Sequence, residues 1–239
     1  MKKISAIVAI LVTLFAFSAS ANSQQISTAI NVFDKYIASP GFVPHDGTVV
    51  QTDVVLSATN GFSLEVWGSS GTDFKPNFGR EIDVTVAWSN AHVGLALSIF
   101  DLNNVLSAKT TDIVQPSIEL HQFVTAGSHS FTAYARAEYN ACTRSFVLNS
   151  AANGIVGLKH NWQVSSVFST SQKLQVLYND GIFGSQSGFI TRFDLGVSAK
   201  VSEAVSLNGM VKNSIPSRSL TDRREITAFG FGVSSNFPL

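Results

Sequence analysis

The chain has 239 residues, of which 45% are hydrophobic and only 13% charged, and its 16 Lys and Arg balance its 16 Asp and Glu. This balance, with no basic tract and no aromatic-basic interleaving, excludes the usual nucleic-acid surface. A single cysteine, Cys142, excludes an internal disulfide and reads as a tolerated loop residue.

The first residues are MKKISAIVAILVTLFAFSASANS. Lys2 and Lys3 form a basic start, residues 4–17 an apolar core, and Ala19-Ser20-Ala21 a small-x-small cleavage box. That is the pattern of a secretory signal peptide over 1–21, leaving one domain over 22–239. Cleavage removes Lys2 and Lys3 and leaves the remainder slightly acidic. No cysteine follows the apolar core, so no lipid tether is expected. Beyond residue 21 no apolar run approaches the roughly 20 residues of a spanning helix. Few charges and many apolar residues without such a run fit half-apolar strands.

Strand one, residues 27–38, is weak, with mixed faces, and a turn-rich stretch over 39–47 follows. Strand two (49–58) sets Val50, Val54 and Leu56 against Gln51, Asp53 and Ser57. After Thr59-Asn60-Gly61, a tight-turn signal, strand three (62–69) sets Phe62, Leu64 and Val66 against Ser63, Glu65 and Trp67. A polar link over 70–80 leads to the clearest hairpin, 81–100. Its first arm alternates Ile82, Val84, Val86 and Trp88 with Glu81, Asp83, Thr85 and Ser89. Asn90-Ala91 turns, and Val93, Leu95, Leu97 and Ile99 then oppose His92, Gly94, Ala96 and Ser98. Each arm is about ten residues, the length of a tilted membrane-crossing strand.

A loop over 101–112 precedes strand six (114–124), with Ile118 and Leu120 outward, Ser117, Glu119 and His121 inward, and Pro116 expected at its start because a proline inside a strand loses a ladder bond. Strand seven sets Phe131, Ala133, Ala135, Ala137 and Tyr139 against Thr132, Tyr134, Arg136 and Glu138. A loop over 140–153 carries Cys142. Strand eight sets Val156, Leu158, His160 and Trp162 against Gly157, Lys159 and Asn161; residues 163–171 fit no clear element. Strand nine (172–179) sets Leu174, Val176 and Tyr178 against Lys173 and Gln175. Strand ten alternates Phe189, Phe193, Leu195 and Val197 with Arg192, Asp194, Ser198 and Lys200. Strand eleven sets Val205, Leu207 and Val211 against Ser206, Asn208 and Lys212. Strand twelve (224–237) sets Phe229, Phe231, Val233 and Phe237 against Gly230, Gly232, Ser234 and Asn236.

Short turns at 59–61, 90–91, 125–127 and 202–203 alternate with longer links near 39–47, 70–80, 101–112, 140–153, 180–187 and 214–223. Short periplasmic turns alternating with longer external loops characterise outer-membrane barrels. The expectation is an all-β, transmembrane, antiparallel up-and-down barrel of about 12 strands, or ten if strand one or nine is misread. Barrels also carry aromatic girdles at both interfaces. Here Trp88, Phe131, Trp162 and Phe237 fall outward near the short-turn rim, and Tyr139, Tyr178 and Phe189 near the loop rim. Trp67 breaks the pattern by sharing a face with Glu65. A soluble exported sandwich or closed barrel would also alternate, but its loops need not alternate in length nor its aromatics band.

Within residues 31–90, Phe33-Asp34-Lys35-Tyr36, His45-Asp46-Gly47, Gly61-Phe62, Val66-Trp67-Gly68 and Glu81-Ile82-Asp83 resemble the TorF-type outer-membrane porin family. The resemblance implies architecture and a pore, with no assigned solute. The C-terminus resembles the alternating aromatic signal read by the barrel-assembly machinery, with Phe237 followed by Pro238 and Leu239 where such signals usually end in Phe.

The inward residues suggest a polar lumen with two walls. Asp53, Glu65, Glu81, Asp83 and Glu119 form an acidic wall; Arg136, Lys159, Lys173, Arg192, Lys200 and Lys212 form a basic one, broken by Glu138 and Asp194. Such walls set solute preference, here towards small polar or zwitterionic solutes. The alternative is that the charges pair and plug the lumen, since buried charges need partners, leaving a structural or adhesive barrel. An outer-membrane hydrolase shares this architecture, with His92, His121, His129 and His160 as candidate bases, but none stands in a recognisable spacing with Ser or Asp. No catalytic, cofactor or metal residues are assigned. The expected partners are outer-membrane lipid, the barrel-assembly machinery and small polar solutes, in the outer membrane of a Gram-negative bacterium.

Overall fold

Strict alternation of apolar and polar residues gives each strand one face for each environment, and the chain uses this in an unbroken series of hairpins. A computed structural model describes residues 24–38, 43–72, 80–102, 112–142, 150–181, 186–220 and 224–238. The secretory signal read over 1–21 lies outside them. The strands are β1 (Gln25–Phe33), β2 (Val49–Ser57), β3 (Phe62–Gly71), β4 (Glu81–Ser89), β5 (Val93–Leu102), β6 (Asp112–Ala126), β7 (His129–Cys142), β8 (Ala151–Gln163), β9 (Phe168–Asn179), β10 (Gly188–Lys200), β11 (Val205–Pro216) and β12 (Ile226–Pro238). Each pairs antiparallel with its sequence neighbours, and β1 pairs with β12 to close a twelve-strand barrel.

The outer face is apolar over its full circumference. Ile30, Val54, Val66, Leu95, Leu120, Val156, Leu174, Phe193, Leu207 and Phe231 are all exposed, Phe231 to 68%. In water this surface would be a liability, whereas in hydrocarbon it is the expected band of a membrane barrel. The inner face is polar at its middle and short-turn end, and buried apolar residues gather towards the long-link rim, among them Phe33, Val49, Ile155, Leu177 and Ile190.

Several expectations need correction. The first strand ends at Phe33 instead of residue 38, because the chain then turns inward and Tyr36 forms an isolated bridge with His45. Residues 163–171 resolve into a short turn between Gln163 and Phe168, with the Ser165 hydroxyl accepting from the Val167 and Phe168 amides. Pro116 lies inside β6, not at its start. It faces Leu97 of β5, while the ladder to β7 lapses between Val114 opposite Ala141 and Ser117 opposite Glu138. Proline has no N–H to donate. At the gap the Gln115 side chain donates across to Asn140 Oδ1 at 2.8 Å and Glu138 Oε2 at 3.3 Å.

If the outer band faces lipid, Leu120→Arg near the middle of β6 should destabilise the barrel by ~2–4 kcal/mol. Urea unfolding in lipid vesicles measures this, and an unchanged midpoint would contradict a lipid-facing β6.

Candidate functional site

The inward residues divide the lumen into three levels. At the long-link end, the segment after β1 folds into the barrel as a strap. Tyr36, Ile37 and Ala38 are buried, and Tyr36 N donates to His45 O at 3.0 Å. The Tyr36 hydroxyl donates to Glu81 Oε2 of β4 at 2.6 Å, and its ring lies 5.8 Å from that of Trp67 on β3. Arg192 Nη1 of β10 donates to Ala38 O at 3.5 Å, so the strap is held from two sides of the barrel. Burial, and then the Glu81 carboxylate, push the Tyr36 hydroxyl well above its ordinary range, keeping it a proton donor at physiological pH. Trp67, on the same face as Glu65, packs inside the barrel against the buried cluster of Phe33, Tyr36, Ala38 and Val49. On the far side Leu220, from the link before β12, clusters with Tyr134, Ile155, Leu177 and Ile190.

The middle level is charged. Arg136 Nη2 and Nε reach Glu119 Oε2 at 2.7 and 2.9 Å, and Nη1 reaches Glu138 Oε1 at 3.4 Å. This fork places a predicted basic residue directly against a predicted acidic one on the adjacent strand. Arg192 Nη2 lies 4.0 Å from Asp194 Oδ1. On the acidic side Asp53 and Asp83 both face Trp67 across the β2–β3 and β3–β4 ladders. Glu65 stands two residues from Trp67 on the same face. Among the described residues no Lys or Arg forms an ion pair with Asp53, Glu65 or Glu81. Lys159, Lys173 and Lys212 share one cross-strand row with Asp194. Lys159 Nζ lies 5.1 Å from the Tyr134 ring centroid, and Lys212 Nζ 4.3 Å from that of Phe33, both within cation–π range.

Two glycines make those aromatic placements. A Cβ on Gly157 would lie 2.5 Å from Tyr134, and one on Gly230 would lie 2.3 Å from Phe33. Each ring therefore lies flat across the neighbouring strand. Tyr134 thereby spans β8, and its hydroxyl donates to Gln175 Oε1 on β9 at 2.9 Å.

The short-turn level is open. A cavity of about 500 Å³ is lined by Ser130, Asn161, Ser169, Ser171, Ser198 and Asn208 among others. Lys200, also at this end, is exposed. A second cavity, about 470 Å³, lies beside the β4–β5 turn and includes His92, Glu119 and His121. His121 Nε2 is 2.9 Å from Asn90 O and Nδ1 is 3.4 Å from Glu119 Oε1. No group of three His, Cys, Asp or Glu suited to a metal occurs among the described residues.

Phe131, Trp162 and Phe237 are exposed on the outer face towards the short-turn rim, as are Tyr139, Tyr178 and Phe189 towards the other. Trp88 is half-buried opposite Phe62 and Leu95. His160 lies outward beside Phe131, with centroids 4.5 Å apart. His160 also bonds His129 (3.0 Å) and Gln172 (2.5 Å), contacts between strands that no local pattern signals. The sequence signal of the strap is the loss of alternation after Phe33, although Tyr36 by itself reads as a strand residue. Leu220 has none.

The NanC porin structure aligns with 88% of this chain and 98% of its own, at 9% identity and a TM-score of 0.58. The fold is that of an outer-membrane porin-like barrel. An outer membrane channel from Pseudomonas putida F1 aligns over 92% of this chain and 98% of its own at 11% identity, but its TM-score of 0.48 is too low to bear on the fold. No protein-family model and no curated protein matches the sequence.

Tyr36→Phe removes a buried hydrogen bond to a carboxylate, a change of ~1–3 kcal/mol. The Tyr36 amide should then exchange hydrogen faster while those of β7–β9 do not. Unchanged exchange would show that the strap is held by its other contacts.

Proposed function

We propose that this chain is an outer-membrane porin of a Gram-negative bacterium, of the TorF type, that passes small polar or zwitterionic solutes. The signal at residues 1–21 exports it, the barrel-assembly machinery inserts it, and its short turns lie in the periplasm. The observation that carries this reading is the contrast between an apolar outer face and an inner face bearing charge of both signs beside an unfilled cavity. Soluble barrels place their apolar residues inside; a polar interior is characteristic of membrane barrels. An acidic side and a basic side across a lumen disfavour solutes of strong single charge and accommodate a dipolar one.

The strap favours a second reading, a plugged structural or adhesive barrel, because Tyr36, Ile37, Ala38 and Leu220 bring buried apolar groups into the lumen. A hydrolase gains no support from His121, whose Nε2 is engaged by the Asn90 carbonyl instead of a nucleophile.

Refolded protein, checked by heat-modifiable migration, should give discrete single-channel conductance in planar bilayers. Folded protein that never conducts would sink the pore in favour of the plug. In a conducting barrel, the combined Lys159→Gln, Arg192→Gln and Lys200→Gln changes should move the reversal potential in a salt gradient towards cation preference.

A further inference from the structure

We propose that Lys159 and Lys173 form an oxyanion-binding pair inside the barrel that takes the carboxylate or phosphate group of a small solute. The two lysines are direct cross-strand partners on β8 and β9, and both belong to the inward face. Like charges directly opposite each other on one face are destabilising, so such a pair calls for an anion. The protein supplies too few. Among the described residues neither lysine, nor Lys212, forms an ion pair. The row they share holds one carboxylate, Asp194, which lies between Lys173 and Lys212 and is approached by Arg192. Arg136 in the same barrel is matched by Glu119 and Glu138, so this lumen does pair its cations where pairing is all that is needed. Lys159 and Lys212 instead rest on aromatic faces, which hold an ammonium in place without neutralising it.

The row also faces open space. Asn161, Ser171, Gly196 and Met210 stand two residues from Lys159, Lys173, Asp194 and Lys212 respectively, on the same faces, and all four line the cavity of about 500 Å³. Two residues of strand are about 6.6 Å, so the lysine row borders that cavity. Serine, threonine, asparagine and glutamine line the rest of it together with His129, Trp162 and Val197, and among the described residues no Asp or Glu that would repel an anion belongs to that lining.

The solute class rests on the porin reading, but the site does not require conduction. Calorimetric titration of the refolded full chain in detergent, with inorganic phosphate and separately with glycine betaine, tests it. Phosphate should bind saturably, at least tenfold more weakly in Lys159→Gln and in Lys173→Gln, with binding retained in the double variant Lys159→Arg, Lys173→Arg and in Lys35→Gln. Betaine competing with phosphate would identify the carboxylate end of a zwitterion as the occupant; phosphate binding alone would identify a free oxyanion. Absence of saturable phosphate binding, or equal binding in the two glutamine variants that remain heat-modifiable, overturns the proposal. Absence of conductance with phosphate binding intact would count against the pore alone.

Discussion

Closure of the β1–β12 ladder is the constraint on which the rest of the molecule depends. In hydrocarbon an unpaired backbone amide or carbonyl costs several kcal/mol, so a sheet with two free edges has no stable place there. Pairing β1 to β12 along its length, from Gln25 opposite Pro238 to Phe33 opposite Gly230, removes both edges. Once the ring is closed, every strand side chain points either to the outside or to the lumen. That division turns a two-residue period into two environments. It also supports the weakest strand, because β1 is laddered on both sides, to β2 as well as to β12.

Within the ring, charge is handled in two ways. Arg136 reaches carboxylates on its own strand and on β6, and its planar fork suits that role. The lysines of β8, β9 and β11 lack such partners, and two of them lie over aromatic rings made possible by glycines on adjacent strands. Paired charge stiffens the wall, whereas unpaired ammonium groups keep a field directed into the lumen. The difference places the fixed part of the wall around β6–β7 and the chemically available part around β8–β11.

The long-link end follows another logic. There the inner face carries Phe33, Val49, Ile155, Leu177 and Ile190, which would be poorly placed against water. The strap and Leu220 cover them, and polar anchors from Glu81 and Arg192 satisfy the strap's hydroxyl and one carbonyl. The lumen is therefore asymmetric along its axis, wide and hydroxyl-lined at the short turns and narrowed by folded-in chain at the other end.

How much of this was legible in sequence depends on range. The alternation in residues such as Ile82, Val84 and Val86 against Glu81, Asp83 and Thr85 specifies strands and faces, because a strand's side-chain period is local. Alternating link lengths then specify an up-and-down ring, and the porin-like fold agrees with that reading. Pro116 escaped because its missing N–H is compensated by Gln115 reaching Asn140, a contact between residues 25 positions apart. The strap escaped because Tyr36 meets Glu81 and Ala38 meets Arg192 only after the ring has closed. Sequence by itself determined which residues face inward, since that follows from the backbone's pleat. Tertiary structure alone decided which inward charges find partners, because register and loop infolding set distances between strands that no local pattern encodes.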